Sequence, residues 1–302
     1  MKKIAQYLSL IKFSHTIFAM PFAVVGFFMG VLHLQTNEIN LSGIEKVTAY
    51  FSSQWMIFLY ILLCMVFARS AAMAFNRYLD REFDAKNPRT AIREIPRGII
   101  SPASALRFTI VNAMLFMGTA WMINKICFLL SPIALLVILG YSYTKRFTPL
   151  CHIILGLGLS LAPVGAFIAV TEQVNTSIVM LSCAVIGWVS GFDIIYALQD
   201  DTFDSSQGLY SIPSYLGRKN ALRLSRILHI ITSFLLLGVG FVNELHWMYF
   251  SGLFIYTSML VYQQSIVKEN DLSKVNIAFM TANGIASIVF AVFTITDLIY
   301  FG

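Results

Sequence analysis

The feature that most constrains this chain is the recurrence of apolar stretches about 20 residues long, the length at which a helix crosses roughly 30 Å of hydrocarbon. Nine can be placed, at approximately 14–34, 53–76, 105–123, 126–143, 150–170, 176–198, 224–242, 246–267 and 277–300. Only Asn124 and Lys125 separate the third from the fourth, so that pair reads either as a tight hairpin or as one long span. Of the 302 residues, 58% are hydrophobic and 12% are charged, against roughly 25% charged in a soluble domain. A soluble fold of this length has too little interior to hide so much apolar surface. The expected class is an all-α integral membrane protein of about nine transmembrane helices, with residues 1–302 forming one domain.

Loops rich in Lys and Arg stay on the cytoplasmic side of a membrane. With nine spans and the N-terminus inside, every Lys and Arg except Lys46 and Lys125 falls on the inner side. The formal net charge of +6 is then a signal of topology, with attraction to anionic membrane lipid as a secondary effect. No basic cluster is interleaved with aromatics in a polar segment, so nucleic acid is not an expected partner. The opening Met1-Lys2-Lys3 runs into an apolar segment and invites a signal-peptide reading. No small-x-small site follows Val31 and the segment is long enough to span, so a retained first span is expected. Cys64, Cys127, Cys151 and Cys183 are isolated in or beside apolar spans and read as small core hydrophobes. The five histidines have no metal-ligand spacing, which argues against zinc.

Two polar segments, roughly 77–107 and 199–223, follow the second and sixth spans, and each opens on an acidic motif at a helix end. The first reads Asn76-Arg77-Tyr78-Leu79-Asp80-Arg81-Glu82-Phe83-Asp84. Spacing of four stacks Asn76, Asp80 and Asp84 on one helical face, with Arg69 two turns back on nearly the same face. The second motif places Asp193, Tyr196, Asp200 and Asp204 in a single stripe, with Asp193 deeper toward the membrane, where an ionisable group is costly and usually functional. Asp80 and Asp84 recur 120 positions on as Asp200 and Asp204, four spans later, which implies a parallel internal repeat. Pro88, Pro96, Gly98 and Pro102 punctuate the first segment and Gly208, Pro213 and Gly217 the second, and the stretch from Thr90 to Arg97 could form a short helix or a cap.

Stacked carboxylates repel one another, so a cation should sit between them. Two acidic helix faces on the same side suggest a shared, oxygen-lined central cavity. Mg²⁺ suits such a site, because it takes a few carboxylates, several waters and the oxygens of a phosphorylated substrate. The competing reading of each motif alone is a solvated helix end with local salt bridges from Arg77, Arg81 and Glu82. Lys145-Arg146, after Tyr141-Ser142-Tyr143-Thr144, is either a positive-inside anchor or a further part of the site. A cation-coupled transporter also carries intramembrane carboxylates, but near the midplane and on broken helices, whereas these motifs fall at the ends of what read as continuous ones.

The two aspartate motifs with Arg69, the pattern D-x-x-Y-A-x-x-D-x-x-x-D from Asp193 to Asp204, and the run from Tyr141 to Arg146 resemble the UbiA superfamily of intramembrane aromatic prenyltransferases. The resemblance covers nearly the whole chain, and the stretch from Phe75 to Asp84 is similar to the branch of 4-hydroxybenzoate polyprenyltransferases, including relatives in menaquinone synthesis. One departure is Arg77, where many members carry Asp, which implies one carboxylate fewer at the first site. The resemblance implies a UbiA-like helical fold around a central cavity in a bacterial inner membrane, with the active site facing the cytoplasm. It implies that Mg²⁺ held by Asp80, Asp84, Asp200 and Asp204, with Asn76, binds the diphosphate of a polyprenyl donor. Lys145, Arg77 or Arg69 would help neutralise that diphosphate, and Tyr141, Asp193 and Tyr196 would complete the substrate site. Arg146 is the candidate partner of the acceptor's carboxylate, because a guanidinium pairs with it in a bidentate way. The acceptor implied is a 4-hydroxybenzoate-type acid, or alternatively a dihydroxynaphthoate on a menaquinone route. The prenyl tail would lie along apolar helices, with Phe18, Phe22 and Tyr196 as candidates for lining its tunnel or as ordinary core residues.

Overall fold

A computed structural model describes residues 2–11, 20–34 and 41–302, with side chains from Gln6 onward. The chain is an all-α integral membrane protein. Its helices are α1 (Lys2–Leu10), α2 (Met20–Leu34), α3 (Gly43–Leu79), α4 (Arg81–Lys86), α5 (Pro102–Ile123), α6 (Lys125–Thr144), α7 (Cys151–Thr171), α8 (Thr176–Ala197), α9 (Asp201–Ser206), α10 (Ile212–Leu216), α11 (Arg218–Val242), α12 (Trp247–Ile266) and α13 (Asn283–Phe301), the last entered through a π-helical turn, Ile277–Ala282. Among the described residues, seven helices are long and apolar enough to cross a membrane, rather than the nine expected. Of the other two expected spans, α2 has 15 residues, and α12 is diluted by Tyr249, Tyr256, Tyr262, Gln263 and Gln264.

Local chemistry explains the boundaries. Asn124 adopts an extended conformation (φ −163°, ψ 171°) and its side chain accepts the backbone N–H of Cys127, ending α5 and capping α6 in one residue. The third and fourth spans are therefore a hairpin. Ser42 and Glu45 form a reciprocal capping box at the start of α3, a 37-residue helix kinked at Gln54. The carbonyls loosened by the π turn are taken up by side chains: Gln263 donates to Ala278 O at 2.7 Å and Asn283 to Phe279 O at 2.9 Å. Asn283 in turn accepts the indole N–H of Trp188 at 3.0 Å.

The closest helix pairings are α3 with α5, α8 with α11, α2 with α7 and α7 with α8. Each motif helix thus packs against the helix that follows its polar segment, as a parallel repeat requires. The most deeply covered span is α8, whose Trp188 sits among Phe22, Phe192 and Tyr256. Phe22 belongs to this core, in contact with Phe290 as well. Phe18 lies outside the described residues. Large apolar side chains such as Trp121, Leu136 and Phe254 point outward, as a lipid-facing surface demands. Cys183 is exposed among them and is not a core residue, while Cys151 is buried.

Close helix approach depends on small residues. A Cβ built on Gly26 in α2 would lie 2.3 Å from the Pro163 carbonyl oxygen of α7. Gly26→Ala should therefore lower the melting temperature of the detergent-purified protein, with an overpacking cost of about 1–3 kcal/mol. Gly118→Ala, whose Cβ meets nothing within 4 Å, should leave it unchanged. Equal melting of both variants would remove this contact as a constraint.

Candidate functional site

The two acidic motifs end their spans in the same way. Asp80 leaves helical geometry (φ −89°, ψ 6°) as the cap residue between α3 and α4, yet its N–H still bonds Asn76 O at 2.9 Å and its carbonyl accepts from Asp84 N at 2.7 Å. Asp200 does the same (φ −113°, ψ 2°) between α8 and α9, its carbonyl accepting from Asp204 N at 2.7 Å. The spans are therefore broken at their motifs, not continuous as the spacing suggested. The break occurs at the end of each span, and the helical stagger is kept across it. Asn76, Asp80 and Asp84 still reach one cavity with Asp193, Tyr196, Asp200 and Asp204.

That cavity has a volume of about 810 Å³ and is walled by α3, α7 and α8, with Arg69, Arg77, Tyr141 and Lys145 also on its lining. Asn76 donates to Asp80 at 3.1 Å. Glu82 points away and is 78% exposed, tied only to Arg81 at 3.3 Å. Arg146 is not on the lining. Its guanidinium donates to Leu79 O at 2.9 Å, approaches Asp80 Oδ1 at 3.5 Å and stacks over Phe83 and Tyr143, so it locks the end of α3 to the end of α6. Arg146, expected to hold the acceptor's carboxylate, thus lies at the edge of the site beside Asp80 and not on the cavity lining.

The stretch from Thr90 to Arg97 forms successive turns without a helix and caps the cavity, placing Arg89, Arg93, Glu94 and Arg97 on its lining. Two of these side chains cross to the carboxylates. Arg89 pairs with both oxygens of Asp200, its Nε at 2.9 Å from Oδ1, and its Nη1 donates to Tyr196 OH at 3.0 Å. Asn87 donates to the same Asp200 Oδ1 at 3.0 Å. Arg93 Nη1 bonds Asp84 Oδ1 at 2.6 Å, with Arg77 4.0 Å from Oδ2. Opposite, Lys145 Nζ lies 2.7 Å from Asp204 Oδ1. None of Asn87, Arg89 or Arg93 was singled out from the sequence. The signal was the crowding of arginines between Pro88 and Gly98, which positive-inside placement already explained.

These surroundings split the carboxylates. Burial raises the pKa of Asp80, helped by the neighbouring Asp84 and opposed by Lys145 and Arg146. Burial likewise raises Asp204 against the pull of Lys145. At Asp200 burial also pushes upward, but the Arg89 and Asn87 hydrogen bonds outweigh it and the pKa is lowered. For Lys145 the fields of Asp204, Asp200 and Asp80 overcome desolvation, so its pKa is raised and it stays charged.

Asp204 Oδ1 is met by the Lys145 ammonium, while Asp204 Oδ2 and Asp84 Oδ2 accept no hydrogen bond although both are buried. Among the described residues no three Asp, Glu, His or Cys side chains converge into an all-protein cage. Buried, under-satisfied carboxylate oxygens at two helix ends across an open cavity fit Mg²⁺ bound through a few carboxylates with water and phosphate completing its shell. The residues that could hold it are Asp80, Asp84, Asp200 and Asp204, with Asn76.

Residues 47–285 match the UbiA prenyltransferase family. A 4-hydroxybenzoate octaprenyltransferase from Tolumonas auensis is 30% identical over 223 residues, spanning 74% of this chain and 78% of that protein. One from Klebsiella pneumoniae subsp. pneumoniae is 31% identical over 222 residues, 74% of this chain and 77% of its own. The apo structure of a UbiA homolog from Aeropyrum pernix K1 superposes with a TM-score of 0.79 at 28% identity, covering 94% of this chain and 98% of that one. A UbiA homolog from Archaeoglobus fulgidus, bound to GPP and Mg²⁺, shares the fold with a TM-score of 0.68 at 20% identity, over 97% of this chain and 99% of that one.

Lys145 is the one cation within ion-pair distance of Asp204 among the described residues. Lys145→Met should then destabilise the protein in chelator by about 1–2 kcal/mol, a buried-pair cost reduced by solvent screening at the lysine end. The double variant Lys145→Met/Asp204→Asn should recover part of the loss in a thermal melt. A double variant no more stable than the single one would show that the pair is not what holds this end together.

Proposed function

Because the chain belongs to the UbiA prenyltransferase family, matched over residues 47–285, we propose that it transfers a polyprenyl group from polyprenyl diphosphate to an aromatic hydroxy acid of the 4-hydroxybenzoate type, in quinone biosynthesis. The observation that carries the reading is the adjacency of two unlike chambers. The acidic cavity shares Arg69, Met73, Tyr141, Leu155 and Leu159 with an apolar pocket of about 210 Å³ between α3, α5, α6 and α7. Cys64, Cys127, Ile138 and Phe116 line that pocket. A substrate with a charged head and a hydrocarbon tail matches this division, head among the aspartates and tail along the apolar wall.

Bound Mg²⁺ would neutralise the charge that grows on diphosphate as it departs from the allylic carbon. The chain's own cations supply the rest: Lys145 stands over Asp204, and Arg89 and Arg93 reach from the cap onto Asp200 and Asp84. Arg89 also lies over the Tyr196 ring, 5.4 Å from its centroid, so the arginine and the ring hold one another at the rim. Arg69 sits where the two chambers meet, and its buried Nε has no partner. It is better placed than Arg146 to take the acceptor's carboxylate beside the reacting carbon. The enzyme works as a single helical domain in the bacterial inner membrane, with the cavity facing the cytoplasm, in keeping with the Lys and Arg distribution.

Membranes containing the protein, given a polyprenyl diphosphate and a panel of hydroxybenzoate and dihydroxynaphthoate acceptors, should yield a prenylated acceptor identified by mass. Product should vanish in excess EDTA and return with Mg²⁺. Transfer to the naphthoate alone would move the acceptor class, and no product from any acceptor would end the reading.

The apolar pocket gives a separate test. Gly165 lies on its wall with nothing within 4 Å of a built Cβ, so Gly165→Phe can fold and project into the chamber. This variant should keep its rate with geranyl diphosphate and lose it with an eight-unit donor. Equal loss with both donors would mean the tail lies elsewhere.

A further inference from the structure

One pair on the cavity wall, a buried histidine and a half-buried aspartate, is left unused by metal, diphosphate or tail. His152, on the first turn of α7, places Nδ1 2.6 Å from Asp193 Oδ2 of α8. Its Nε2 accepts the backbone N–H of Ile212 at 3.3 Å. A nitrogen that accepts carries no proton, so the ring is neutral with its proton on Nδ1, donated to the carboxylate. The helices are tightly keyed here. Ser190 Oγ donates to His152 O at 3.1 Å, and a Cβ on Gly156, one turn along α7, would lie 2.7 Å from Ile186 O. The imidazole is 3% exposed and cannot turn without breaking both bonds.

Asp193 differs from the aspartates at the helix ends. Those are paired with arginine and lysine side chains, most of them from loops, whose charge a metal and a diphosphate could exchange. Asp193 is held by a neutral ring on a rigid span, two turns deeper than Asp200, and its Oδ1 has no protein partner among the described residues while the side chain lines the cavity. The position is close to the junction with the apolar pocket marked by Tyr141 and Leu155. There the allylic carbon and the acceptor ring must meet if head and tail lie as argued above.

We infer that Asp193 is the base that takes the ring proton of the acceptor, and that His152 is its positioning residue. The inference rests on the prenyl-transfer reading. In the step, the bond from allylic carbon to diphosphate oxygen breaks and the diphosphate leaves with the pair of electrons. A ring carbon beside the hydroxyl forms the new carbon–carbon bond. Its C–H bond then breaks, the electron pair restores the aromatic ring, and the proton passes to Asp193 Oδ1. A carboxylate without a cationic partner is a better proton acceptor than one clamped by arginine, and a neutral histidine orients it without neutralising it.

The test uses whichever panel acceptor the wild-type enzyme prenylates, with deuterium at the ring carbons beside the hydroxyl, and full-length protein in detergent. Asp193→Asn should lower kcat by at least about 100-fold, as loss of a positioned base does. His152→Leu should also lower kcat, and His152→Asn, whose amide can donate from near the Nδ1 position, should restore part of it. An isotope effect on kcat absent from the wild type should appear in Asp193→Asn and His152→Leu, because proton removal becomes the slow step. Mg²⁺-dependent binding of tritiated geranyl diphosphate should be unchanged in all three, which a misfolded variant would not show. Wild-type-like kcat in Asp193→Asn, loss of donor binding together with activity, or a slowed variant without an isotope effect would each overturn the assignment. A wild-type protein that prenylates no acceptor would instead overturn the reading beneath it.

Discussion

The interaction on which the rest depends is charge compensation of carboxylates placed where water is scarce. Asp84 and Asp204 are 6% and 0% exposed, and an unpaired carboxylate in such a place is costly enough to unfold the end of a span. The chain meets the cost with cations, all but Arg77 from outside the motifs: Arg77 and Arg93 for Asp84, Arg89 for Asp200, Lys145 for Asp204 and Arg146 for Asp80. Each of these pairs ties one element to another. Arg89 and Arg93 fasten the cap over the cavity, while Lys145 and Arg146 draw the end of α6 onto both acidic turns. The cap, the cavity and the helix ends are held by one network.

The same network explains what reading the sequence could and could not reach. The stagger of Asn76, Asp80 and Asp84, and of Asp193, Tyr196, Asp200 and Asp204, is a local property of helical spacing, and it put all seven on one cavity even though the helices break at Asp80 and Asp200. The loop partners were hidden because nothing local distinguishes an arginine that anchors topology from one that reaches across to Asp200, 111 residues away in the chain. Arg146 shows the converse case. Its chemistry suited a carboxylate ligand, but the direction of its side chain, set by packing on Phe83 and Tyr143, took it off the cavity. His152 was invisible for a third reason: a lone histidine has no spacing signal, and its meaning comes only from Asp193 on a neighbouring helix. Composition is mixed at α12, whose tyrosines and glutamines serve internal contacts such as Tyr249 with Leu236 O and Gln263 with Ala278 O.

The broken ends have a further consequence for the order of events. A continuous helix would carry its carboxylates outward along a straight stripe, away from the bundle. The turns at Asp80 and Asp200 instead start the short helices α4 and α9, on which Asp84 and Asp204 are buried and line the cavity. Arg89 and Arg93 then sit on the carboxylates that a metal-bound diphosphate would need. On the proposed reading, entry of the head group would have both arginines exchange a carboxylate partner for a phosphate one, and a guanidinium bonds either in a forked geometry. The cations that stabilise the protein before substrate arrives would then be the ones available to hold the leaving group afterwards. Stability of the cap and binding of the donor would be coupled through the same two side chains.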